Sequence, residues 1–240
     1  MSPLSIVIIT LNEEKRIGHL LEDLSHQTYQ NFEVIVVDSN SEDATVQVAQ
    51  SYANALPALT VEKMRTRGVS LGRNTGAKIA KHSQLLFLDA DVRLEREFLE
   101  CSLNEMDVRQ LKVAGVCMGS KGLATKHQLG YKLFNVGLKS TQYFFPTAVG
   151  ACIFSHRDVH SLIGGFDESI HLCEDCNYVL KASKSYKFRM LDQYVFFDPR
   201  RLDQDGTFST GFTYLRANVR RFFLGEMRNN EIEYRFGHYN

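Results

Sequence analysis

The predicted fold depends on one stretch, Gln84-Leu85-Leu86-Phe87-Leu88-Asp89-Ala90-Asp91, in which a short apolar run ends in two carboxylates. Such a run between turn signals is typical of a buried strand in a parallel sheet. Ligands of open α/β sheets bind in the crevice at the carboxyl ends of the strands. We therefore predict that Asp89 and Asp91 hold a divalent cation, which in turn holds a phosphorylated ligand. The alternative is a solvated acidic turn.

Strand-like and helix-like segments alternate on the N-terminal side of this stretch. Strands are predicted over residues 4–10, 32–38 and 59–64, and the helices that follow have Asn12, Ser41 and Ser70 as candidate N-caps. This alternation predicts an α/β fold with a parallel, doubly wound sheet. One edge of that sheet would carry the polar residues that end the strands, namely Thr10, Asn12, Asp38, Asp89 and Asp91.

The second half of the chain is less regular. Its predicted helices cover about residues 95–106, 126–144, 174–182 and 210–227. Its predicted strands are shorter, at residues 113–118, 150–154, 188–191 and 195–197. Gly164-Gly165-Phe166-Asp167 predicts a tight turn, and the last helix has basic and aromatic faces.

Composition restricts the class of protein. Among 240 residues, 28 Lys and Arg balance 28 Asp and Glu, and this zero net charge argues against broad nucleic-acid binding. The chain starts almost directly with an apolar strand, without a basic leader, and it lacks an apolar run that could span a bilayer. Five cysteines, an odd number, suit a reducing compartment. We therefore expect a cytoplasmic protein, with peripheral membrane contact as an open alternative.

Several motifs, taken together and in order, resemble those of the family 2 glycosyltransferases with the GT-A fold. They are Ile8–Glu14, Val36–Thr45, Arg67-Gly68 with Gly72-Arg73-Asn74-Thr75-Gly76, Asp89-Ala90-Asp91, and Gly164–Glu168 with Glu174-Asp175. The resemblance implies a catalytic domain over residues 1–200 with a mostly parallel, Rossmann-like sheet and helices on both faces. Residues 1–92 would form its nucleotide-sugar-binding half and residues 93–200 a smaller, mixed acceptor-side half. A basic, aromatic helical tail would occupy residues 201–240.

The resemblance implies a nucleoside diphosphate sugar as donor, with UDP as the first choice. Thr10, Asn12 and Glu13 would line the nucleoside pocket. Asp38 would accept a hydrogen bond from the base, as a carboxylate can from a uracil imide. Leu11 stands where the family often has an aromatic residue and Glu42 where it usually has Thr, so base stacking and the details of the second loop are left open.

The resemblance also divides the acidic pair. Asp91 would be the direct ligand of Mg²⁺ or Mn²⁺, the ions that hard oxygen donors and a diphosphate favour over zinc. Asp89 would lie nearer the ribose or in a supporting position, with Ala90 between the two acids. Arg73 would place a fixed positive charge near the diphosphate, or else would form an ion pair on a helix surface.

On the acceptor side, the resemblance implies that Asp175 is the general base of a direct displacement with inversion, and that Glu174 tunes its pKa. Gly165, Phe166 and Asp167 would belong to the acceptor end. Arg200 and Arg201 would approach the diphosphate or a phosphate of the acceptor. The acceptor itself is left open as a glycan, a lipid-linked sugar or a small molecule.

Two features are not explained by the resemblance. Cys173-Glu174-Asp175-Cys176 has the spacing of a redox pair or half a zinc site, but no second Cys-x-x-Cys exists, so two free thiols are favoured. The tail helix would lie on a membrane surface near a lipid-linked acceptor, or would pack on the catalytic domain or on the partner in a homodimer.

Two rival functions remain for comparison. A sugar nucleotidyltransferase would have a glycine-rich basic loop after the first strand, whereas Leu11-Asn12-Glu13-Glu14 is acidic. A protein that only binds nucleotide sugars would be expected to lack Asp91 or Asp175. We therefore predict an inverting, metal-assisted sugar transferase of glycan or cell-envelope biosynthesis.

Overall fold

The structure is a computed structural model that describes residues 1–170, 172–197 and 207–228. The strands in these ranges are β1 Leu4–Thr10, β2 Phe32–Asp38, β3 Leu59–Lys63, β4 Gln84–Asp89, β5 Val92–Arg93, β6 Val113–Met118, β7 Cys152–His156 and β8 Phe188–Phe197. The helices are α1 Ile17–Ser25, α2 Thr45–Ser51, α3 Val69–Ile79, α4 Phe98–Arg109, α5 Thr125–Thr141, α6 Arg157–Leu162, α7 Glu174–Ala182 and α8 Thr207–Leu224.

The strands form one mixed sheet in the order β3-β2-β1-β4-β7-β6-β8-β5. β1 pairs in parallel with both β2 and β4, and β2 pairs in parallel with β3. β7 runs antiparallel to its neighbours β4 and β6, and β5 runs antiparallel to β8. The predicted α/β fold, with a mostly parallel first half and a mixed second half, is therefore confirmed.

Both faces of the sheet are covered because its central strands are apolar on both sides. In β1, Leu4, Ile6 and Ile8 pack in one core cluster, whereas Val7 packs in the other. The first cluster contains the buried apolar residues of α1 and α4, and the second contains Tyr178, Val179 and Ala182 of α7. Alternate residues of a strand point to opposite faces, so this near-continuous apolar run is what a strand between two helical layers needs.

The three predicted N-caps are wrong. α1 begins at Ile17 with Arg16 as its N-cap, and α2 begins at Thr45 with Ala44 as its N-cap. Gly68 is the N-cap of α3, so Ser70 lies inside its first turn. Asn12 and Ser41 make hydrogen bonds within the preceding loops instead, and those loops are therefore longer than the sequence suggested.

The two short strands predicted near residues 188–191 and 195–197 form the single strand β8. Its pairing with β6 shifts register between Gly115 and Cys117, as at a β-bulge. Asp192 and Gln193, which separate the two predicted strands, lie within β8 at this irregularity. Elsewhere the predicted strands agree with the structure to within two residues at each end.

The sheet runs through both predicted halves of the catalytic domain, and α8 of the predicted tail is in contact with α5. The division at residues 92 and 200 stays a prediction. Within the described ranges, no helix combines the length and the apolar character that crossing a bilayer requires.

A tight contact between α3 and the sheet gives a test of the packing. A Cβ added at Gly76 would lie 2.2 Å from Val7 Cγ1, whereas the helical Gly137 of α5 has nothing within 4 Å of the same position. Gly76→Ala should therefore destabilise the protein by about 1–3 kcal/mol. Gly137→Ala should stabilise it by roughly 0.5–1 kcal/mol. Urea unfolding of both variants measures the difference, and equal midpoints would contradict the close α3–β1 packing.

Candidate active site

The carboxyl ends of β1 and β2 meet at Thr10 and Asp38, which are register partners. Thr10 Oγ1 donates to Asp38 Oδ1 over 3.1 Å, and Ser41 N donates to Asp38 Oδ2 over 2.9 Å. The hydroxyl of Ser41 donates to the same carboxylate, which is fully buried. Asp38 therefore has protein donors on both oxygens and holds the loop after β2, while its predicted contact with a base stays a prediction.

The loop after β1 is fastened to the loop after β2 by a ladder of hydrogen bonds. Asn12 has a left-handed φ of 56°, its backbone N–H donates to Ser41 Oγ over 2.9 Å, and its Oδ1 accepts from Glu42 N over 2.9 Å. Glu13 N donates to Thr45 Oγ1 over 2.8 Å. Asn tolerates this backbone region better than most residues, which accounts for its position here. The predicted nucleoside residues are thus preorganised on two mutually supporting loops.

Asp43 belongs to the same pair of loops. Its Oδ1 accepts from both the backbone N–H and the hydroxyl of Thr45, and its Oδ2 accepts from Glu14 N over 3.2 Å. Partial burial raises its pKa, but the hydrogen bonds from Thr45 and Glu14 outweigh that effect and lower the pKa overall. These contacts let Asp43 hold the loops after β1 and β2 together.

The acidic pair ends β4 at the same edge. Asp89 is the last residue of β4 and Asp91 lies in the turn before β5, and both side chains are partly exposed, whereas Ala90 between them is buried. Two carboxylates at one strand end offer the hard oxygen donors that Mg²⁺ and Mn²⁺ prefer. These cations complete their shells with substrate phosphates and water, so the donor set fits such an ion.

Arg73 of α3 is buried and connects Asp89 to the start of α7. Its Nη2 donates to Asp89 Oδ1 and to the carbonyl of Gly150, each over 3.0 Å, and its Nη1 donates to Glu174 Oε1 over 2.7 Å. The guanidinium also lies 5.1 Å from the ring centroid of Phe166. The alternative of an ion pair on a helix surface is wrong, because Arg73 is only 2% exposed.

Glu174 and Asp175 begin α7, beside this guanidinium. Burial raises the pKa of Glu174 to about 7, against the opposing charge of Arg73 and with a further contribution from Asp175. Burial also raises the pKa of Asp175, again against the effect of Arg73. A Cβ at Gly150 would lie 2.8 Å from Asp175 Oδ2, so the glycine leaves space next to this carboxylate. Asp175 is the more exposed of the two acids, and its role as a base stays a prediction.

The turn before α7 is held by Asn74, for which the sequence predicts no separate role. Asn74 Nδ2 donates to the carbonyl of Phe166 and to Glu168 Oε1, and its Oδ1 accepts from Phe166 N, all over 2.9 Å. Gly164 and Gly165 have left-handed φ values of 71° and 68°. Asn74 directly follows Arg73 in the motif Gly72-Arg73-Asn74-Thr75-Gly76. Its place in that motif could have indicated that it contributes to the site.

Phe166 and Asp167 have different surroundings. The Phe166 ring is buried and stacks on Tyr178 with 4.1 Å between ring centroids. Asp167 Oδ1 accepts from Ser169, and Asp167 Oδ2 lies 2.9 Å from Arg228 Nη2. The hydrogen bonds from Ser169 lower the pKa of Asp167, and Arg228 lowers it further. These contacts give both residues a part in shaping the turn, and contact with an acceptor stays a prediction.

The two cysteines of the Cys-x-x-Cys are free thiols, as favoured from the sequence. Both are buried, and they pack in one small cluster with Leu172, Ala217 and Met227. The potential ligand atoms of Cys173, Asp175 and Cys176 lie within 4.8 Å of one another. The positive charge of Arg221 also acts on both thiols, an arrangement that opposes a bound cation.

The structure therefore brings the predicted residues together in two groups at one sheet edge. The first group holds the loops after β1 and β2. The second joins the acidic pair through Arg73 to the start of α7. Arg200 and Arg201 lie outside the described residues.

The profile of the family described as Glycosyl transferase family 2 matches residues 5–161. The chain belongs to this family. This chain is 27% identical to YwdF of Bacillus subtilis, an uncharacterized glycosyltransferase, and the match covers 78% of this chain and 70% of YwdF. It is 34% identical to the poly(ribitol-phosphate) β-N-acetylglucosaminyltransferase TarS of Staphylococcus aureus, over 48% of this chain and 22% of TarS.

An uncharacterized glycosyltransferase of Haemophilus influenzae is 41% identical over 37% of this chain and 29% of that protein. The chain thus spans less than a third of the length of this relative and of TarS. Among solved structures, residues 1–349 of TarS in complex with UDP-GlcNAc give a TM-score of 0.65 at 24% identity, over 81% of this chain and 58% of that one.

The mannosyltransferase PcManGT of Pyrobaculum calidifontis, in complex with GDP-Man and Mn²⁺, gives a TM-score of 0.73 at 20% identity. The match covers 92% of this chain and 61% of PcManGT. At these identities the likeness concerns the fold, which is that of the GT-A glycosyltransferases. The predicted family, its enzyme class and the GT-A fold are confirmed.

Proposed function

We propose that the protein transfers a sugar from a nucleoside diphosphate sugar, with UDP as the first choice, to an acceptor hydroxyl with inversion, assisted by Mg²⁺ or Mn²⁺. One observation carries this proposal. Arg73 contacts Asp89 over 3.0 Å and Glu174 over 2.7 Å, so the acidic pair and the start of α7 lie on two sides of one guanidinium. A donor held at Asp91 and an acceptor held at Asp175 would then lie on either side of Arg73.

The donor end would be held by three groups of residues. Thr10, Asn12 and Glu13 would surround the nucleoside. Asp38 would hold these residues in place through its hydrogen bonds with Thr10 and Ser41. Asp91 would bind the cation directly, and Asp89 would remain in its contact with Arg73. The bound cation would supply Lewis-acid stabilisation of the departing diphosphate. The UDP-GlcNAc bound to TarS and the GDP-Man and Mn²⁺ bound to PcManGT support a donor of this class.

The acceptor step would be carried by Asp175. Its carboxylate would take the proton of the acceptor hydroxyl as the acceptor oxygen bonds to the anomeric carbon. The bond from that carbon to the diphosphate oxygen would break on the opposite face, so the nucleoside diphosphate leaves and the anomeric configuration inverts. Arg73 would keep Glu174 and Asp89 in place during this step and would add positive charge near the leaving group.

A donor panel tests the proposal. Binding of UDP-, GDP- and dTDP-sugars is measured by calorimetry with and without Mn²⁺, and we expect one nucleotide class to bind in a Mn²⁺-dependent way. Asp91→Asn should weaken the Mn²⁺-dependent part by about tenfold or more, since it removes a charged ligand. Asp107→Asn, at an exposed carboxylate of α4, is the matched control and should bind as the parent does.

Two outcomes would contradict the proposal. The first is the absence of metal-dependent binding to any donor of the panel. The second is release of pyrophosphate from a nucleoside triphosphate and a sugar phosphate, which would identify a nucleotidyltransferase instead.

A further inference from the structure

The outer side of α5 carries an unusual row of exposed apolar residues. Leu129, Leu133 and Val136 are spaced four and three residues apart, so they share one face of the helix, and all three are exposed. Tyr143 and Phe144, just after the helix, are exposed as well. Single exposed apolar residues are common, but a continuous row of them marks an interaction site.

A second row lies on α8. Phe212, Leu215, Val219 and Phe222 are spaced three or four residues apart and are exposed, as are Phe223 and Leu224 at the end of the helix. The opposite side of α8 carries Ala217, which packs with Cys173 and Cys176, and Arg221, which is buried beside Phe145. One side of α8 is therefore packed on the protein, whereas its opposite side is apolar and exposed.

The two rows belong to helices that contact each other. Phe145, beyond the end of α5, packs edge-on against Phe222 with 5.1 Å between ring centroids, and the guanidinium of Arg221 lies 5.4 Å from the Phe145 ring. We call the exposed apolar residues of α5, of the following turn and of α8 the α5–α8 face.

The charges on these two helices indicate which kind of surface the α5–α8 face would bind. α5 contains Lys126, Lys132 and Lys139, α8 contains Arg216, Arg220 and Arg221, and neither helix contains Asp or Glu. Asp192 pairs with Lys139 and Glu226 pairs with Arg221, but Lys132 and Arg216 are exposed. In a chain whose net charge is zero, the two helices that expose apolar residues thus carry six basic residues and no acidic one.

We propose that the α5–α8 face docks on the surface of an anionic lipid bilayer. Helices with an apolar face and basic flanks lie in the plane of the interface, where apolar side chains enter the acyl boundary and Lys and Arg meet anionic headgroups. A second copy of the chain fits this face less well. In a two-fold dimer the same patch meets itself, and two faces with only basic charges would repel each other.

Docking would also place the candidate active site beside the bilayer. α8 packs on Leu172, Cys173 and Cys176 at the start of α7, next to Asp175. If the proposed function holds, the acceptor end of the site lies near sugars displayed at a membrane. Bilayer docking itself does not depend on which sugar is transferred.

Sedimentation with sucrose-loaded vesicles tests the inference on the full chain. We expect binding to phosphatidylcholine vesicles that contain about one third phosphatidylglycerol, and weak binding to phosphatidylcholine alone. Leu133→Ser with Leu215→Ser should lower the partition coefficient by at least about tenfold. Lys132→Ala with Arg216→Ala should lower it about ten- to thirtyfold for the anionic vesicles only.

The matched control is Val108→Ser with Arg96→Ala, at an exposed valine of α4 and an exposed arginine before it. It should bind within about twofold of the parent. Equal binding of the parent to neutral and anionic vesicles would overturn the proposal, and so would binding of both variant pairs at the parent's level. A dimer that the two serine substitutions dissociate, without vesicle binding, would identify a second copy as the occupant. Donor binding measured on the same samples shows separately whether the proposed function holds.

Discussion

Asp175→Asn should abolish most of the transfer activity while leaving the donor bound. Loss of a general base costs about 10²–10⁴-fold in rate, and the amide cannot take the acceptor proton. Donor affinity should stay within a few-fold, since the predicted donor contacts lie at the β1, β2 and β4 ends rather than at α7. Asn has nearly the shape of Asp, so the space beside Gly150 is kept.

The comparison needs kcat for transfer together with calorimetric donor binding. Asp192→Asn, at a carboxylate that is 78% exposed in β8, controls for the loss of a negative charge and should transfer at nearly the parental rate. Transfer by Asp175→Asn at the parental rate would show that the base lies elsewhere. Loss of donor binding in the same variant would instead assign Asp175 to the donor site.

The pH dependence of the parent adds an independent check on the base. Burial raises the pKa of Asp175 above that of an ordinary aspartate, and it raises the pKa of the adjacent Glu174 to about 7. Because a base must be deprotonated, kcat/KM should fall as the pH is lowered through these raised values, closer to neutrality than for an exposed acid. The two carboxyls interact, so the acidic limb of the pH profile gives apparent pKa values that belong to the pair and not to either residue. A profile that is flat down to about pH 5 would contradict this assignment.

The strand ends of the site could be predicted from the sequence because each has a local signal. The apolar runs of β1 and β2 stop at polar residues, and α7 was predicted with its observed bounds. The loops between these elements were not predictable in the same way. Asn12 looks like a helix cap, but its partner is Ser41, 29 residues away, and that contact exists only once the two strands are paired.

The role of Arg73 shows the same limit more clearly. Its motif suggested a positive charge near the site, but its partners Asp89 and Glu174 are 16 and 101 residues away. Burial is a property of the folded arrangement, in which α3, β4 and α7 close around the guanidinium. Spacing along the chain could not distinguish that arrangement from a surface ion pair. The sequence likewise left the environment of α8 undecided, because its basic and aromatic pattern suits either a helix packed on the protein or one at a membrane interface.

Arg73→Met should destabilise the protein strongly. Removing one partner of a buried ion pair costs about 3–5 kcal/mol, because the other charge is left buried without compensation. Here Glu174 would lose its partner, and Asp89 and the Gly150 carbonyl would each lose a donor. For a chain of this size the melting temperature should fall by roughly 10 °C, measured by calorimetry.

Two companion variants separate the ion pair from lost packing. Arg67→Met breaks an exposed ion pair, in which Arg67 is 48% and Glu42 77% exposed. This change should lower the free energy of unfolding by no more than about 1 kcal/mol. Adding Glu174→Gln to Arg73→Met should recover part of the lost stability, since the neutral amide needs no counter-charge. If the double variant is as unstable as the single one, the methionine has disturbed the packing under Phe166 rather than unbalanced the charge. If Arg73→Met melts as Arg67→Met does, the buried network does not hold α3, β4 and α7 together.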